Sequence, residues 1–242
     1  MFRTLTAATA LTLSLALPAL AQSDDDAAFG ERVRAYLMSN PEVIMEAVGV
    51  LQQREDAAAA QADQDMLAAQ SDALLNDGYS WVGGNPDGDI TVVEFMDYRC
   101  GYCKKAYPEV ESLLSTDGNI RFIVKEFPIL GEQSVLGAQF AMAAQLVSGD
   151  DAYAAVHETL MNYNGEISAE SLSRLADSLD LDGAAIIARM DDPEIARRIN
   201  ANRALGQALN ISGTPTFVIQ DQMVRGYVPV DQMQQLVDQL RS

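Results

Sequence analysis

The stretch ITVVEFMDYRCGYCKK, residues 90–105, holds both cysteines of the 242-residue chain. Ile90 to Met96 is rich in β-branched residues and is typical of a buried strand. A helical pattern follows directly, begins at the C-x-x-C motif and continues to Leu114. The sequence therefore predicts that Cys100 and Cys103 lie where a strand runs into a helix.

A second strand pattern, IRFIVKEF, covers residues 120–127. The length between the two strands fits a right-handed parallel crossover with one helix between them. Beyond this unit, residues 132–210 are mostly helical in pattern, and Asp192-Pro193-Glu194 is a typical helix start. These patterns predict a βαβ unit followed by a helical segment.

The last part of the chain predicts a hairpin, Thr216–Ile219 with Met223–Tyr227, and then an amphipathic helix from Val230 to Leu240. The order βαβ, helical insert, ββα is that of an α/β thioredoxin fold carrying a helical insertion. We therefore expect a thioredoxin-like catalytic domain over residues 77–242, with the insertion at about 130–210.

The N-terminus predicts export. Arg3 precedes the apolar run LTAATALTLSLALPALA, which ends in Ala19-Leu20-Ala21. A basic start, a short apolar core and an A-x-A ending are typical of a cleaved secretory signal, which we place at residues 1–21. An uncleaved anchor is the alternative. Export leads to an oxidising compartment, where a pair of thiols can persist as a disulfide.

Residues 22–76 form a helical N-terminal arm rich in Ala and Gln. Its apolar side chains recur at helical spacing, and Asn40-Pro41 predicts a break between two helices. The apolar positions are Phe29, Val33, Tyr36, Leu37, Ile44, Val48 and Leu51. This face either meets another copy of the arm or folds back on its own catalytic domain.

The chain has 35 acidic and 16 basic residues, a formal net charge of −19. Nucleic-acid binding requires a basic surface, so this charge excludes nucleic acid as an expected partner. It also disfavours binding to anionic lipid surfaces.

The two thiols have three candidate uses: a structural staple, a metal site and a redox pair. A disulfide that closes so small a ring stabilises a fold by roughly 2 kcal/mol at most, so a structural staple explains little. Structural zinc requires four ligands, and the chain has two Cys and one His, His157. We therefore assign no metal site and expect no cofactor, although Cu(I) held by two thiolates stays open.

Redox chemistry has a positive argument. A cysteine at a helix N-terminus meets free backbone N–H groups and the helix dipole, which stabilise its thiolate. We therefore expect Cys100 to be the nucleophile, and more exposed and more acidic than Cys103. Cys103, one turn later, would resolve a mixed disulfide formed at Cys100.

Gly213-Thr214-Pro215-Thr216 is the second candidate element. Pro215 precedes a predicted strand, where a proline fits in a turn or with a cis bond. We expect a cis bond beside the thiols, which turns the Thr214 backbone toward a substrate peptide that adds as a short strand.

Taken together, Phe95, Cys100-Gly101-Tyr102-Cys103, Phe127-Pro128 and Gly213-Thr214-Pro215 resemble the periplasmic DsbA-like thiol–disulfide oxidoreductases. The resemblance covers about Tyr79 to Ser242. The arm, with VRAYLMSNPEVIMEAVGVLQQRE, is similar to that of ScsC-type proteins, the suppressors of copper sensitivity. Some of those proteins are trimers, assembled through the arm, with isomerase activity.

The resemblance implies roles for individual residues. Cys100 and Cys103 would be the catalytic thiols, and Tyr102, Thr214 and Pro215 would contact substrate. Glu94 and Lys125 would form the family's buried charged pair. In such a pair the acid accepts or returns a proton as Cys103 ionises.

One departure from the family bears on the direction of the reaction. Strong oxidants of this family often have Pro-His between the thiols and Val before the cis-Pro, where this chain has Gly-Tyr and Thr. That combination resembles the periplasmic disulfide isomerases. The expectation is a periplasmic isomerase or reductase, with a DsbA-like dithiol oxidase or a Cu(I)-binding protein as alternatives.

The partners implied are exported proteins with cysteines and a membrane redox partner that reduces or oxidises the dithiol. A homo-oligomer through residues 22–76, such as a trimer, is also implied.

Overall fold

The structure is a computed structural model that describes residues 21–242, with side chains from residue 25 onward. The predicted signal segment, residues 1–21, lies outside this range apart from Ala21. In the part of the chain described, no helix combines the length and the apolar character that crossing a membrane requires. The chain divides into two compact units, with the division between Ala57 and Ala58.

The described residues form ten helices and five strands. The helices are α1 Ala21–Ser39, α2 Glu42–Ala69, α3 Ser71–Leu75, α4 Gly101–Asp117, α5 Glu132–Ser148, α6 Asp150–Asn162, α7 Ala169–Ser178, α8 Gly183–Arg189, α9 Pro193–Ala208 and α10 Val230–Arg241. The strands are β1 Trp81–Gly84, β2 Ile90–Met96, β3 Ile120–Glu126, β4 Thr216–Ile219 and β5 Gln222–Arg225.

The first unit consists of α1 and the first part of α2. The predicted helix break is confirmed, since α1 ends at Ser39 and α2 begins at Glu42. Apolar side chains on both helices lie open to solvent. Phe29 and Tyr36 are each 59% exposed, and Ile44 and Val48 are each 50% exposed. Within its own unit, this apolar stripe is therefore left uncovered.

The second unit is built around a mixed sheet of strand order β1-β3-β2-β4-β5. β2 and β3 are parallel neighbours in the sheet, and helix α4 connects them in the chain. The other neighbouring strands pair antiparallel. Helices α5 to α9 form the insertion between β3 and β4. The predicted thioredoxin-type order with a helical insertion is confirmed.

Side chains of the two central strands alternate between two hydrophobic cores. We call the side that carries Val92, Glu94, Met96, Val124 and Glu126 the thiol face, because its core also contains both cysteines. The distal face carries Val93, Phe95, Ile123 and Lys125, and its core includes Leu67, Leu74 and Leu205. Both faces are covered, so the two strands are buried over nearly their whole length.

The boundary between arm and catalytic domain differs from the one predicted at residues 76 and 77. Residues 58–76 belong to the second unit. Leu67 and Leu74 are only 4% and 2% exposed in the distal core. Their burial, which depends on tertiary contacts, makes the end of α2 and all of α3 part of the catalytic unit.

Strand β1 was not predicted, because its sequence, WVGG, continues into the turn residues Asn85 to Gly88. It pairs antiparallel with β3 at the sheet edge and ends at Gly84. There the backbone has a positive φ of 65°, and a Cβ atom would lie 2.4 Å from the Ile120 carbonyl oxygen. The glycine allows the strand to turn away at close contact with β3.

Candidate active site

Cys100 lies at the N-cap of α4, immediately after the turn that follows β2. Its Sγ accepts a hydrogen bond from the Cys103 backbone N–H at 3.3 Å. As a thiol it also donates to the Thr214 carbonyl oxygen at 3.1 Å. The extended backbone of Cys100, with φ −77° and ψ 115°, allows this capping geometry. The sulfur therefore lies between a helix N-terminus and the loop before β4.

The two thiols differ in burial and in acidity. Cys100 is 6% exposed, whereas Cys103 is fully buried, and both are reduced. A hydrogen bond from the Cys103 thiol, together with backbone N–H groups of Cys103 and Tyr102, lowers the pKa of Cys100 to about 6. Burial raises the pKa of Cys103, and the nearby Cys100 and Glu94 raise it further. At neutral pH the geometry therefore favours a thiolate at Cys100 and a protonated thiol at Cys103.

The expected cis peptide bond is present between Thr214 and Pro215. Thr214 is half-buried and Pro215 is buried. The loop is held by a hydrogen bond from the Thr216 hydroxyl to the Gly213 carbonyl oxygen, and by another from the Gly226 N–H to the Pro215 carbonyl oxygen. Tyr102, the other residue expected to contact substrate, is 64% exposed at the first turn of α4.

Glu94 lies on the thiol face of β2 and is 3% exposed. Burial raises its pKa to about 8, and the nearby Cys100 and Glu126 add to the effect. Its Oε1 accepts no hydrogen bond from any residue in the described range. This carboxyl group is thus a buried acid close to the thiols, with proton affinity near neutral pH.

Lys125 does not pair with Glu94, which corrects the expected buried charged pair. In the parallel register Glu94 lies opposite Val124, whereas Lys125 lies opposite Phe95. The Lys125 side chain is therefore on the distal face of the sheet. There Lys125 Nζ contacts Asp77 at 2.6 Å and the Ala73 carbonyl oxygen at 2.9 Å. The ion pair ties β3 to the segment after α3, and it is separated from the thiols by the sheet.

A second buried carboxyl, Glu126, was not predicted. It is 2% exposed on the thiol face of β3, and its Oε1 accepts hydrogen bonds from Tyr98 at 2.8 Å and Tyr153 at 2.7 Å. Burial raises its pKa to about 8, although the two tyrosine hydroxyls oppose the shift. The signal in the sequence was its parity with Ile120, Phe122 and Val124, which makes it an acid on a buried face.

The network continues to His157, to which the sequence analysis assigns no role. Its Nδ1 lies 3.1 Å from the Tyr98 hydroxyl, and its ring stacks on Tyr153 and Trp81. Burial lowers the pKa of His157 to about 4, so the ring is neutral at pH 7. His157 is 4% exposed and is an interior residue of the insertion.

Charged residues around the motif hold α4 in place. Asp97 Oδ1 accepts from the Arg99 N–H at 2.7 Å, and Oδ2 accepts from the N–H groups of Ile129 and Leu130. The Lys104 ammonium donates to the Leu160 carbonyl oxygen at the end of α6. Lys105 Nζ lies 3.9 Å from the Tyr227 ring centroid. Both lysines are thus engaged in packing contacts.

The arrangement suits thiol–disulfide exchange. It has a low-pKa sulfur that is 6% exposed at a helix N-terminus, a second thiol one helical turn away and a buried acid beside them. Within residues 21–242, no group of three or more His, Cys, Asp or Glu side chains is placed to hold a metal ion. The Cu(I) alternative therefore rests on the two thiols alone.

Comparison with known proteins identifies both units. The DSBA-like thioredoxin domain matches residues 91–238, and the N-terminal domain of the copper resistance protein ScsC matches residues 25–58. A thioredoxin-like oxidoreductase from Silicibacter pomeroyi is 40% identical, with a TM-score of 0.66, over 70% of this chain and 96% of that one. ScsC from Proteus mirabilis, in a transitional conformation, is 29% identical, with a TM-score of 0.67, over 90% of this chain and 97% of that one.

Among curated proteins, the Na⁺/H⁺ antiporter NhaA 1 of Salinispora arenicola is 33% identical over 139 residues, which are 57% of this chain. The chain spans about a fifth of the length of this relative, since the match covers 21% of the antiporter. The thioredoxin domain match covers more than half of the chain and includes both cysteines and the Thr214-Pro215 loop. The chain therefore belongs to the DsbA-like thioredoxin family of thiol–disulfide oxidoreductases, with an N-terminal segment of the ScsC type.

Proposed function

We propose that this protein is a periplasmic disulfide isomerase and reductase that acts on exported proteins through Cys100 and Cys103. The observation that carries the proposal is the position of the Cys100 sulfur. It caps α4, and it lies 3.1 Å from the Thr214 carbonyl oxygen of the cis-Pro loop. A substrate strand that pairs with this loop would bring its own disulfide to the Cys100 sulfur.

The exchange has two steps. The Cys100 thiolate attacks one sulfur of a substrate disulfide, which forms a mixed disulfide and releases the other substrate sulfur as a thiolate. In isomerisation, a second substrate thiolate then displaces Cys100, so the protein leaves unchanged. In reduction, Cys103 loses its proton and attacks the Cys100 sulfur, which releases the substrate thiolate and leaves the Cys100–Cys103 disulfide.

The isomerase assignment is supported by the residues around the thiols. Gly-Tyr between the cysteines and Thr214 before Pro215 resemble the isomerases, as does the ScsC-type arm. The alternative, a dithiol oxidase, is favoured by one observation. The lowered pKa of Cys100 stabilises the reduced protein and makes the Cys100–Cys103 disulfide a better oxidant.

Two variants test the exchange chemistry. Cys100→Ala should abolish insulin reduction and repair of a scrambled substrate, while Cys103→Ala should accumulate mixed disulfides visible by non-reducing electrophoresis. Undiminished activity in Cys100→Ala would end the redox proposal. Thiol trapping of Cys100 in living cells separates the two directions, since an isomerase is kept reduced and an oxidase is kept oxidised.

We also propose that the arm assembles the protein into a homo-oligomer, such as a trimer. The support is the exposed apolar stripe of the first unit, which soluble monomers tend to avoid. The match of residues 25–58 to the ScsC N-terminal domain adds to it. An oligomer would hold several catalytic thiols near one misfolded chain, as repair of wrong disulfides requires.

The truncation that tests the arm follows from the observed unit boundary. Deleting residues 22–57 leaves Leu67 and Leu74 in the catalytic core, whereas a deletion to residue 76 would remove both. The shorter deletion should give a folded monomer that reduces disulfides but repairs scrambled substrate poorly. Light-scattering mass and repair rate are the measurements.

A point variant refines this test. Val48→Glu in the stripe should lower the oligomer mass, and Gln53→Glu, on the opposite side of the same helix, should leave it unchanged. A full-length protein that is monomeric at micromolar concentration would refute assembly through the arm.

A further inference from the structure

The thiol face buries two carboxyl groups that the fold does not neutralise. Glu94 and Glu126 lie on neighbouring parallel strands, with Glu126 two register positions beyond Val124, the residue opposite Glu94. Both are at most 3% exposed. Glu94 Oε1 and Glu126 Oε2 each find no hydrogen-bond partner among the described residues. Burying two carboxyl groups in the charged form without a cation is costly, so at least one of them holds its proton near neutral pH.

We propose that Glu126 is a positioning residue for the resolving step, because its carboxylate, held by Tyr98 and Tyr153, sets the proton affinity of Glu94. Glu94 in turn accepts the proton that Cys103 loses when it attacks the mixed disulfide. This inference rests on the proposed thiol–disulfide exchange and assigns a task to a residue that touches neither substrate nor the reacting sulfurs.

The hydrogen bonds decide which carboxyl ionises first. Two hydroxyl donors converge on Glu126 Oε1, and such bonds stabilise the charged form of a carboxyl group. Glu94 has no comparable donor on its Oε1 in the described structure, and the charge of Glu126 raises its pKa. The first proton of the pair therefore leaves Glu126, and Glu94 retains its proton to higher pH.

Among the described residues, no cation near the pair offsets this charge. Titratable groups facing the pair come from β2 and the turn after it, from α4 and from α6. They are Asp97, Tyr98, Cys100, Cys103, Tyr153 and His157. His157 is neutral at pH 7, and Lys125 lies on the distal face. As the pH rises, Glu126 is thus the first of the two acids to become negative, and none of these groups offsets its charge at Glu94.

The state of Cys100 changes during the reaction. In the reduced protein its thiolate raises the pKa of Glu94, but in the mixed disulfide that charge is gone. Glu94 then ionises more readily, at the stage when Cys103 must lose a proton. The step is balanced: the Cys103 proton passes to Glu94, the Cys103 sulfur bonds to Cys100, and the substrate sulfur leaves as a thiolate. Glu126 remains as the charge that keeps Glu94 basic enough to accept the proton.

The test follows the two steps separately. Reduced protein is mixed with dithiobis(nitrobenzoate), an aromatic disulfide, and absorbance reports each nitrothiobenzoate anion released. The first release measures attack by Cys100, and the second measures attack by Cys103 on the mixed disulfide. Both rates are recorded by stopped flow over a range of pH, for full-length wild type and for Glu126→Gln, Glu126→Asp and Tyr153→Phe.

Glu126→Gln keeps an acceptor for the tyrosines but removes the charge. It should move the pH midpoint of the second release downward by about one unit, the scale at which neighbouring sites count as coupled. The midpoint of the first release should stay in place. Glu126→Asp keeps the charge and should retain the wild-type midpoint. Tyr153→Phe removes one donor, so Glu126 keeps its proton to a higher pH. The pH midpoint of the second release should therefore move down by a smaller amount.

The inference is overturned if the second midpoint is unchanged in Glu126→Gln. It is equally overturned if both steps slow together without a change in either midpoint, as loss of packing alone would produce. Should Glu126→Gln fail to fold, an unchanged midpoint in Tyr153→Phe has the same consequence. Failure of the first release in wild type would instead refute the proposed exchange itself, so the two failures are distinct.

Discussion

The two faces of the central sheet both bury charged side chains, but they treat them differently. On the distal face, fully buried Lys125 contacts Asp77 at 2.6 Å and also donates to a backbone carbonyl oxygen. On the thiol face, Glu94 and Glu126 lie near each other and near two thiols, and each leaves one oxygen without a partner in residues 21–242. One face has a closed ion pair, and the other has acids that can take up protons.

This difference shows what each charge is for. A buried charge with a complete set of partners serves the fold, since its removal leaves the partner unpaired in a medium of low polarity. A buried acid without such partners has a pKa raised toward neutral pH, and it is therefore available for proton transfer. Position on the thiol face, beside Cys103, therefore separates the chemically useful residues from the structural ones. Burial alone does not.

Breaking the closed pair should have the largest effect. Lys125→Met leaves the half-buried Asp77 without its cation, and we expect a loss of about 3 kcal/mol in the free energy of unfolding. The double variant Lys125→Met/Asp77→Asn, which removes both charges, should regain much of that loss. Urea unfolding of the three proteins measures it. A single variant as stable as wild type would show that the ion pair contributes little to the fold.

Removing the acid beside the thiols should act on the reaction instead. Glu94→Gln should slow attack by Cys103 on the mixed disulfide by about a hundredfold, the lower end of what a positioned proton acceptor supplies. The unfolding free energy should not fall, because a buried ionisable group is replaced by a neutral one. Glu111→Gln, which changes an exposed carboxyl on α4 two helical turns beyond Cys103, is the control and should leave the rate unchanged.

Much of this comparison could be predicted from sequence. The β-branched run ITVVEFM and the C-x-x-C motif located β2 and the start of α4, and the cis bond before β4 was expected from Thr214-Pro215 together with the motif. The pairing of Glu94 with Lys125 was wrong. Each strand pattern fixes the alternation of its own residues, but the register between β2 and β3 decides which residues share a face.

Other features depend on contacts between distant segments. Leu67 and Leu74 follow the helical pattern of the arm, and their burial in the distal core is a tertiary contact that no local pattern reveals. Glu126 and His157 are joined through Tyr98, and these three residues come from β3, the insertion and the turn after β2. Only the folded chain brings these three residues together. Of the two buried acids on the thiol face, the sequence therefore predicted Glu94 and missed Glu126.

The same comparison predicts how stability depends on pH. Burial raises the pKa of Glu94 and Glu126 to about 8, above their ordinary 4.5, so the folded protein keeps protons that the unfolded chain releases. Their contribution is complete below pH 4.5 and is lost as the pH rises through about 8. His157, with its pKa lowered to about 4 from 6.5, acts in the opposite direction, and only below pH 6.5.

Above the ordinary pKa of His157, the two acids lower the stability together as the pH rises, and Cys100, with its pKa lowered to about 6 from 9.0, opposes them in part. We expect the unfolding free energy to fall by about 1 kcal/mol per pH unit from neutral pH to pH 8, and Glu94→Gln to show a flatter profile. Chemical denaturation at a series of pH values measures the slope. A wild-type stability that rises across this interval would contradict the assignment of the two acids as protonated in the fold.

The smallest effect should come from an ion pair of the same kind on the surface. Arg225, on edge strand β5, forms a bidentate contact with Asp63 of α2 at 2.7 and 2.8 Å, but the Arg225 side chain is 47% exposed. Water still solvates the Arg225 guanidinium in the folded protein, so Arg225→Gln should cost about 0.5 kcal/mol. Salt at about 1 M should remove most of that difference, because it screens exposed charges.

The loss in Lys125→Met should persist at the same salt concentration, since the sheet and α3 shield that pair from ions. Urea unfolding of both variants with and without salt makes the measurement. A surface pair as costly to break as the buried one would show that enclosure by the distal core does not strengthen the Lys125–Asp77 contact.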